Sequence, residues 1–253
     1  MSLQSDFKAI AQEGGRAALV TVVAEDDPAL GAKLLVRPDG EALGTLGDPE
    51  RDRLALAHAE ELMWAERSEL RGSLFVDVVA PPPRLIVFGA VDFAAALCRM
   101  AKTAGWRAFV VDPRGRFATR ERFPDAEEVV VAWPDKAFAE LGGIDRATYI
   151  AVLTHDPKLD DAALTAALAS DAPYIGAMGS RRAQEKRRDR LLSLGVAEEQ
   201  LARIAAPIGL DLGGLTAEET ALSIIAEVVA VRNGREGGRL SASGAGRIHE
   251  VGT

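Results

Sequence analysis

The rhythm of hydrophobic and polar positions changes once along the chain. The first 80 residues mix alternating and helical patterns, whereas from residue 84 short unbroken apolar runs alternate with longer amphipathic stretches. In the first part, residues 6–13 predict a helix ended by Gly14-Gly15, and residues 17–23 an apolar strand. Residues 33–36 and 41–46 flank Arg37-Pro38-Asp39-Gly40, whose Asp-Gly pair signals a hairpin. A charged helix over 49–67 and a strand over 73–79 complete a small α+β domain, residues 1–80. The string Ala80-Pro81-Pro82-Pro83 then favours a stiff, extended segment without backbone donors, and the domain boundary is placed there.

After the prolines, strands are predicted at 85–88, 108–111, 129–132, 149–153 and 174–175, with helices at 94–104 and 160–169. Strands without alternation are buried on both faces, which implies a parallel sheet covered by helices. The fold class is therefore α/β: the small N-terminal domain, then a Rossmann-like doubly wound sheet over residues 84–233. Thr216-Ala217-Glu218-Glu219 has the pattern of a capping box and opens the last helix. On it Ala221, Ile224, Ile225, Val228 and Val229 share one face, which should dock on the core. Residues 234–253, rich in Gly, Ser and Arg, are expected to form a flexible tail or to be held by a partner chain.

Composition narrows the classes. The 253 residues are 48% hydrophobic and 27% charged, enough for a packed core and against wholesale disorder. Acidic residues outnumber basic ones by 38 to 30, a formal charge of −8, so no nucleic-acid partner is expected. No apolar run approaches the ~20 residues that span a bilayer. The opening Met-Ser-Leu-Gln-Ser-Asp shows no basic segment followed by an apolar one, so a cytoplasmic protein without membrane contact is expected. The single cysteine, Cys98, cannot form an internal disulfide or a cysteine-rich metal site, and within an apolar helix it reads as a buried thiol.

In a doubly wound sheet, ligands sit beyond the carboxyl ends of the strands near the reversal of strand order. The first strand of the second domain ends in Gly89-Ala90-Val91-Asp92-Phe93-Ala94. Gly89 and Ala94 match the outer positions of G-x-G-x-x-G/A, but Val91 stands where the middle glycine admits a pyrophosphate, and Asp92 adds negative charge. Asp112 closes the second strand, where a carboxylate can bind a ribose hydroxyl, and Arg114 beside it can meet a phosphate. The segment reads either as a nicotinamide-dinucleotide site or as a Rossmann-type loop turned to another use.

Two further loops open on the same edge. Thr154-His155-Asp156-Pro157-Lys158-Leu159-Asp160 offers His155 as proton donor or ligand, with Asp156 and Asp160 to orient it. The plainer reading makes Asp160 a helix cap and His155 a hydrogen-bonded loop residue. This His-Asp-Asp set lacks the spacing of a dedicated metal site. In Gly176-Ala177-Met178-Gly179-Ser180-Arg181-Arg182, glycines allow close backbone approach, Ser180 can cap a helix, and two arginines occupy its first turn. The helix dipole favours acids there, so a bound anion explains the arginines better. Lys186, Arg187, Arg188 and Arg190 alternate with Glu185 and Asp189 and read as a solvated face. The apolar, glycine-rich stretch over 206–216 either is buried or covers a ligand.

Taken together, these segments resemble the XdhC/CoxI family, accessory factors of xanthine dehydrogenase and related molybdenum hydroxylases. The resemblance spans residues 85–249 and rests on Val111-Asp112-Pro113-Arg114, Arg122-Phe123-Pro124, Thr154-His155-Asp156 with Asp160, Tyr174-Ile175-Gly176 through Arg182, and Pro207-Ile208-Gly209-Leu210-Asp211. Glu218-Glu219, Ala221-Leu222-Ser223-Ile224, Ala226-Glu227 and the closing Gly246-Arg247-Ile248-His249 continue it, while Val20 to Val23 and Gly31-Ala32-Lys33 carry a weaker likeness in the first domain. It implies a chaperone that binds molybdenum cofactor, a pyranopterin bearing a phosphate or a nucleotide, and delivers it to an apo molybdenum hydroxylase. The implied cofactor-binding residues are Gly89, Ala90, Asp112, Arg114, Thr154, Gly176, Gly179, Ser180, Arg181, Arg182, Pro207 and Gly209, with His155, Asp156 and Asp160 for proton chemistry. The family's Gly-Ala-Gly-His is Gly89-Ala90-Val91-Asp92 here, and its Gly-Gly-Cys segment corresponds to Gly44-Thr45-Leu46-Gly47-Asp48, without cysteine. The alternatives are an NAD(P)-dependent oxidoreductase, with His155 as acid/base and Asp112 at the ribose, and a non-catalytic paralogue. The apolar last helix and Ile248-His249 suggest a homodimer, the commonest symmetric assembly.

Overall fold

Apolar residues at consecutive positions of the first strands place apolar side chains on both faces of the sheet, so each face needs a helix to cover it, and the first domain supplies both. The computed structural model describes residues 2–242, so the motif Gly246-Arg247-Ile248-His249 lies outside the described residues. Helix α1 (Leu3–Gln12) is capped by Ser2 and is followed by β1 (Ala17–Val22), β2 (Lys33–Val36), β3 (Ala42–Thr45), α2 (Pro49–Trp64), β4 (Glu69–Arg71) and β5 (Leu74–Val79). The strands form an antiparallel sheet in the order β3-β2-β1-β5-β4. Ala18, Val20, Val22, Leu34 and Val76 pack under Ala55, Ala59, Leu62 and Met63 of α2, while Ala17, Leu19 and Leu35 meet Phe7 of α1. Strand β4 is absent from the sequence reading because Glu69 looks like a solvent residue. It is 3% exposed, and its charge is met by Arg67 at 2.8 Å and Arg71 at 2.7 Å.

The chain divides into units at Pro81/Pro82, and the second unit runs to Gly237. It contains β6 (Arg84–Phe88), α3 (Asp92–Thr103), β7 (Arg107–Val111), β8 (Glu128–Val130), α4 (Pro134–Glu140), β9 (Thr148–Val152), α5 (Pro157–Leu168), β10 (Tyr174–Ala177), α6 (Arg181–Ser193), α7 (Glu198–Leu201), β11 (Ile204–Ala205) and α8 (Ala217–Arg232). All five strand pairings are parallel, in the order β11-β10-β9-β6-β7-β8. Counted within the unit this is 6-5-4-1-2-3, the doubly wound dinucleotide-fold order, with its switch point between β6 and β9.

Alternation along β6 distributes the core between two layers. Leu85 and Val87 face α3 and α8, packing with Leu97, Cys98, Ala221, Ile224 and Val228. Ile86 and Phe88 face α4, α5 and α6, packing with Phe138, Leu164, Ala167 and Leu191. The capping box expected for the last helix is present, with Thr216 and Glu219 satisfying each other's backbone donors. Val229, expected on the docking face, is 38% exposed and lies off the stripe that packs. Helix α5 starts at Pro157, not at 160, because Asp156 accepts from the Lys158 N–H and forms the cap. Among the described residues no helix is long and apolar enough to cross a membrane.

Phe88 is fully buried and meets Phe138 edge-on, ring centroids 5.1 Å apart. Phe88→Ala is expected to cost about 3–5 kcal/mol, measured as a lowered midpoint in urea denaturation of the second unit's transition.

Candidate functional site

The carboxyl ends of β6, β7, β9 and β10 lie on one edge of the parallel sheet, so the four loops that follow them surround the switch point. Gly89 makes the closest approach possible. Its φ is +109°, and a Cβ there would lie 3.0 Å from the Thr154 nitrogen and 3.2 Å from the Thr154 Cβ. The loops after β6 and β9 are thereby in direct contact. Thr154 is buried, and its hydroxyl accepts from the Asp156 N–H at 2.8 Å.

Asp112, expected at a ribose, has a different occupation. Its Oδ2 accepts from the Ala90 N–H at 2.9 Å and from Arg114 Nη2 at 2.7 Å, while Oδ1 accepts from the Arg114 N–H at 2.9 Å and Arg114 Nε at 2.8 Å. Four hydrogen bonds exhaust the lone pairs of a carboxylate, and Asp112 is fully buried. Burial alone would raise this carboxyl, but the Arg114 guanidinium and the two backbone donors outweigh it and hold it below the ordinary value. Asp112 therefore ties the end of β7 to the loop after β6, and Arg114 is spent partly on that tie. The negative charge of Asp92 is met as well: Arg122 donates to Asp92 Oδ1 at 3.1 Å and to the Ala90 and Phe117 carbonyls at 3.0 Å each.

His155 is exposed and Asp156 is a helix cap, while Asp160 lies on α5, only 3% exposed, with its Oδ2 2.9 Å from Arg187 Nη2. The three side chains do not form a hydrogen-bonded set among the described residues. Burial raises the Asp160 carboxyl, and Arg187 only partly offsets that rise. Arg187, assigned by sequence to a solvated face, is 5% exposed. A signal for this exists in the sequence, because Arg187 and Leu191 share the inner face at i, i+4 spacing. Its neighbours Arg188 and Arg190 do reach the surface, paired with Glu198 and Asp161.

After β10, Gly179 has φ +131° and Ser180 caps α6 by accepting from the Ala183 N–H at 3.3 Å. No acid occupies the first turn of α6, whereas Arg181 and Arg182 are exposed there, without an ion-pair partner among the described residues. The apolar loop is anchored at its start. Gly176 leaves room for Ile208, whose Cδ1 would lie 2.5 Å from a Cβ, and the Ile208 N–H donates to the Ala177 carbonyl at 3.2 Å. Glu227 Oε2 accepts from the Gly209 N–H at 2.8 Å and from the Tyr174 hydroxyl at 2.5 Å; burial and this carboxylate push the tyrosine upward. Pro207 is exposed, and so is the loop's second half, with Leu212 54% and Leu215 94% accessible. The first half of the loop is thus anchored to the sheet and α8, while its second half lies open. Tyr174, Glu227, Arg122, Gln184 and Arg187 are the structural members of this region that sequence reasoning did not assign.

Cys98 has no accessible surface, and burial pushes its thiol up to about 12. Among the described residues no group of three or more His, Cys, Asp or Glu side chains gathers as a metal site.

At neutral pH Asp112→Asn is expected to destabilise the protein by about 1–3 kcal/mol, because an amide nitrogen must then face converging donors. The carboxyl is depressed on folding, so its contribution is complete above the ordinary 3.8 and vanishes as pH falls through the lower folded value. Thermal unfolding curves of wild type and variant should converge in that acid range. Identical curves at pH 7 would show that the four bonds give no net stability.

The comparisons with known proteins follow the same two units. The description "XdhC Rossmann domain" matches residues 85–228, and "XdhC and CoxI family" matches residues 10–72. An uncharacterized Escherichia coli protein, YqeB, is 28% identical over 83% of this chain and 42% of its own length. A Bacillus subtilis protein, named for a probable role as a xanthine dehydrogenase subunit, is 29% identical over 63% of this chain and 46% of its own. The Escherichia coli molybdenum cofactor insertion chaperone PaoD is 30% identical over 60% of this chain and 41% of its own. The chain thus spans less than half the length of these curated relatives. A crystal structure described as a xanthine dehydrogenase from Bacillus halodurans shares the fold, with TM-score 0.61 and 22% identity over 95% of this chain and 66% of that one. With its Rossmann domain matched over more than half its length, the chain belongs to the XdhC and CoxI family.

Proposed function

We propose that this protein is a maturation factor for a molybdenum hydroxylase, binding molybdenum cofactor as cargo and delivering it to the apoenzyme. The observation that carries the reading is the turn from β10 into α6. It presents a helix N-terminus free of acids, together with two arginines that no protein carboxylate among the described residues occupies, beside the switch-point crevice. A helix N-terminus and guanidinium groups both favour a phosphate monoester or diphosphate, and the pyranopterin cofactor carries one or the other. The family and the name of PaoD support the same cargo.

In this reading Arg181 and Arg182 hold the phosphate, and Gly89 and Thr154 form the floor of the crevice. Ser180 fixes the first turn of α6, while the exposed half of the apolar loop, Asp211 to Leu215, flanks the pterin or the receiving enzyme. Cys98 takes no part in holding the metal or its sulfur, since it is buried and far from its reactive thiolate form. Arg114 and Asp112 brace the site. The nicotinamide alternative loses its ribose anchor, because Asp112 has no free lone pair. A homodimer and a target hydroxylase as partner belong to the same proposal; light scattering that returns a monomer removes the first.

Mass spectrometry of ligand retained on native purification should give the mass of the pterin cofactor, and addition of the loaded protein should activate an apo-hydroxylase. Arg181→Ala/Arg182→Ala should retain the fold and weaken cofactor retention by about tenfold or more, the worth of one charged hydrogen bond. Equal retention by wild type and double variant would remove the phosphate assignment. Retention of a nicotinamide dinucleotide would favour the oxidoreductase.

A further inference from the structure

We infer that Arg187 is a positioning residue: from inside the fold it aims the backbone N–H groups of the β10–α6 turn outward as an oxyanion receptor, and through Asp160 it locks that turn to the one after β9. The inference rests on the phosphate reading above and deepens it.

The carbonyls along the turn are pinned one after another. Arg187 Nη2 donates to the Met178 carbonyl at 2.9 Å. Gln184 Nε2 donates to the Gly179 carbonyl at 3.1 Å and to the Ala177 carbonyl at 3.3 Å. Gln184 is itself oriented, because its Oε1 accepts from Arg187 Nη1. A trans peptide is planar, with C=O and the following N–H antiparallel. Pinning Met178 and Gly179 carbonyls toward Arg187 and Gln184 therefore turns the Gly179 and Ser180 N–H groups the opposite way. The preceding peptide follows the same rule: the Ala177 carbonyl is held by Gln184 and Ile208, and the Met178 N–H donates to the Val152 carbonyl at 2.8 Å. Among the described residues, the N–H groups of Gly179, Ser180, Arg181 and Arg182 have no acceptor. Gly179 is required for this path, since at φ +131° a Cβ would lie 3.2 Å from that of Ala183.

The guanidinium is held in turn by Asp160, with side-chain exposures of 6% and 4% for the pair. Asp160 stands in the first turn of α5, where its N–H donates to the carbonyl of the cap, Asp156. One buried pair thus fixes the turns after β9 and β10 against each other. A second pair between the same helices, Arg190 Nε to Asp161 Oδ2 at 2.8 Å, lies nearer the surface and touches neither turn. Asp160 Oδ1 and Arg187 Nε lack a protein partner although buried. A pair kept only for stability is replaceable by apolar side chains of similar size with little loss. A pair kept to aim the turn is not, and this difference makes the inference testable.

The test uses the full chain, with inorganic phosphate as probe and chloride at matched ionic strength as control. Arg187→Lys keeps the charge but loses the fork that serves Asp160, Met178 and Gln184 together. Asp160→Leu/Arg187→Met removes both charges and guards against a variant that does not fold. Both are expected to bind phosphate at least about tenfold more weakly while Arg181 and Arg182 remain, and the double variant should melt near wild type. Hydrogen exchange should show Met178 and Ala183 losing protection together with Asp156 and Lys158, while the middle of α5 and α6 holds. A folded double variant with wild-type phosphate affinity and unchanged exchange overturns the inference. If wild type itself shows no phosphate-specific binding, the phosphate reading fails. The locking of the two turns is then decided by exchange alone: joint loss upholds it, loss in one turn or neither overturns it.

Discussion

Strand β6 is hydrogen-bonded to β7 on one edge and to β9 on the other, all three running in the same direction. Parallel pairing forces every connection to cross over the sheet and return, so the loops that leave the carboxyl ends gather on a single edge. Because the connections on the two sides of β6 travel in opposite directions, β6 and β9 form the switch point, where folds of this order open a crevice. That crevice is narrow here for one steric reason: Gly89 has no Cβ, and Thr154 occupies the space one would need. The arrangement of Asp112, the turn after β10 and the apolar loop all follow from this frame.

Buried carboxylates recur in both units. Asp112, Asp160 and Glu69 are each almost inaccessible and each is met by arginine. Breaking the Asp160–Arg187 pair, the one with both side chains buried, from one side costs about 3–5 kcal/mol, because the remaining charge stays buried. Only the Asp160–Arg187 pair joins two elements, α5 and α6; Asp112 and Arg114 share the end of β7, and Asp112 reaches the loop after β6 through the Ala90 N–H, while Glu69 and Arg71 lie together on β4. At the first loop Arg122 donates to the Ala90 and Phe117 carbonyls and meets Asp92 at the surface.

Much of the second domain was legible because fully buried parallel strands leave unbroken apolar runs, and because Thr216 and Glu219 announce the last helix by local hydrogen bonding alone. Strands β4 and β11 were not legible: the first contains a buried Glu69, and the second is two residues long. Helix α5 begins earlier than the pattern suggests because either Asp156 or Asp160 can cap, and local chemistry does not choose between them. For the site, the arginines in the first turn of α6 stand out against the dipole rule, and they are exposed and unpaired among the described residues. Asp112 and Asp160 stand out in the sequence as special positions, but their occupation by Arg114 and Arg187 depends on contacts across the fold. Cys98 is buried, as its place on an apolar helix face implies.

By itself the sequence determined the doubly wound α/β class and the family, since these rest on local propensity, hydrophobic period and uncommon strings in a set order. Only the tertiary structure decided which charges face solvent and which hold the site together. The physical reason is that an arginine or aspartate carries the same local preference in either setting. Its burial is settled by a partner 27 residues away in the case of Arg187 and Asp160, a separation over which helical or strand periodicity conveys nothing. Within what reads along the chain as a basic, solvated helix face, Arg187 alone is turned inward on folding, onto the Met178 carbonyl of the turn that presents Arg181 and Arg182.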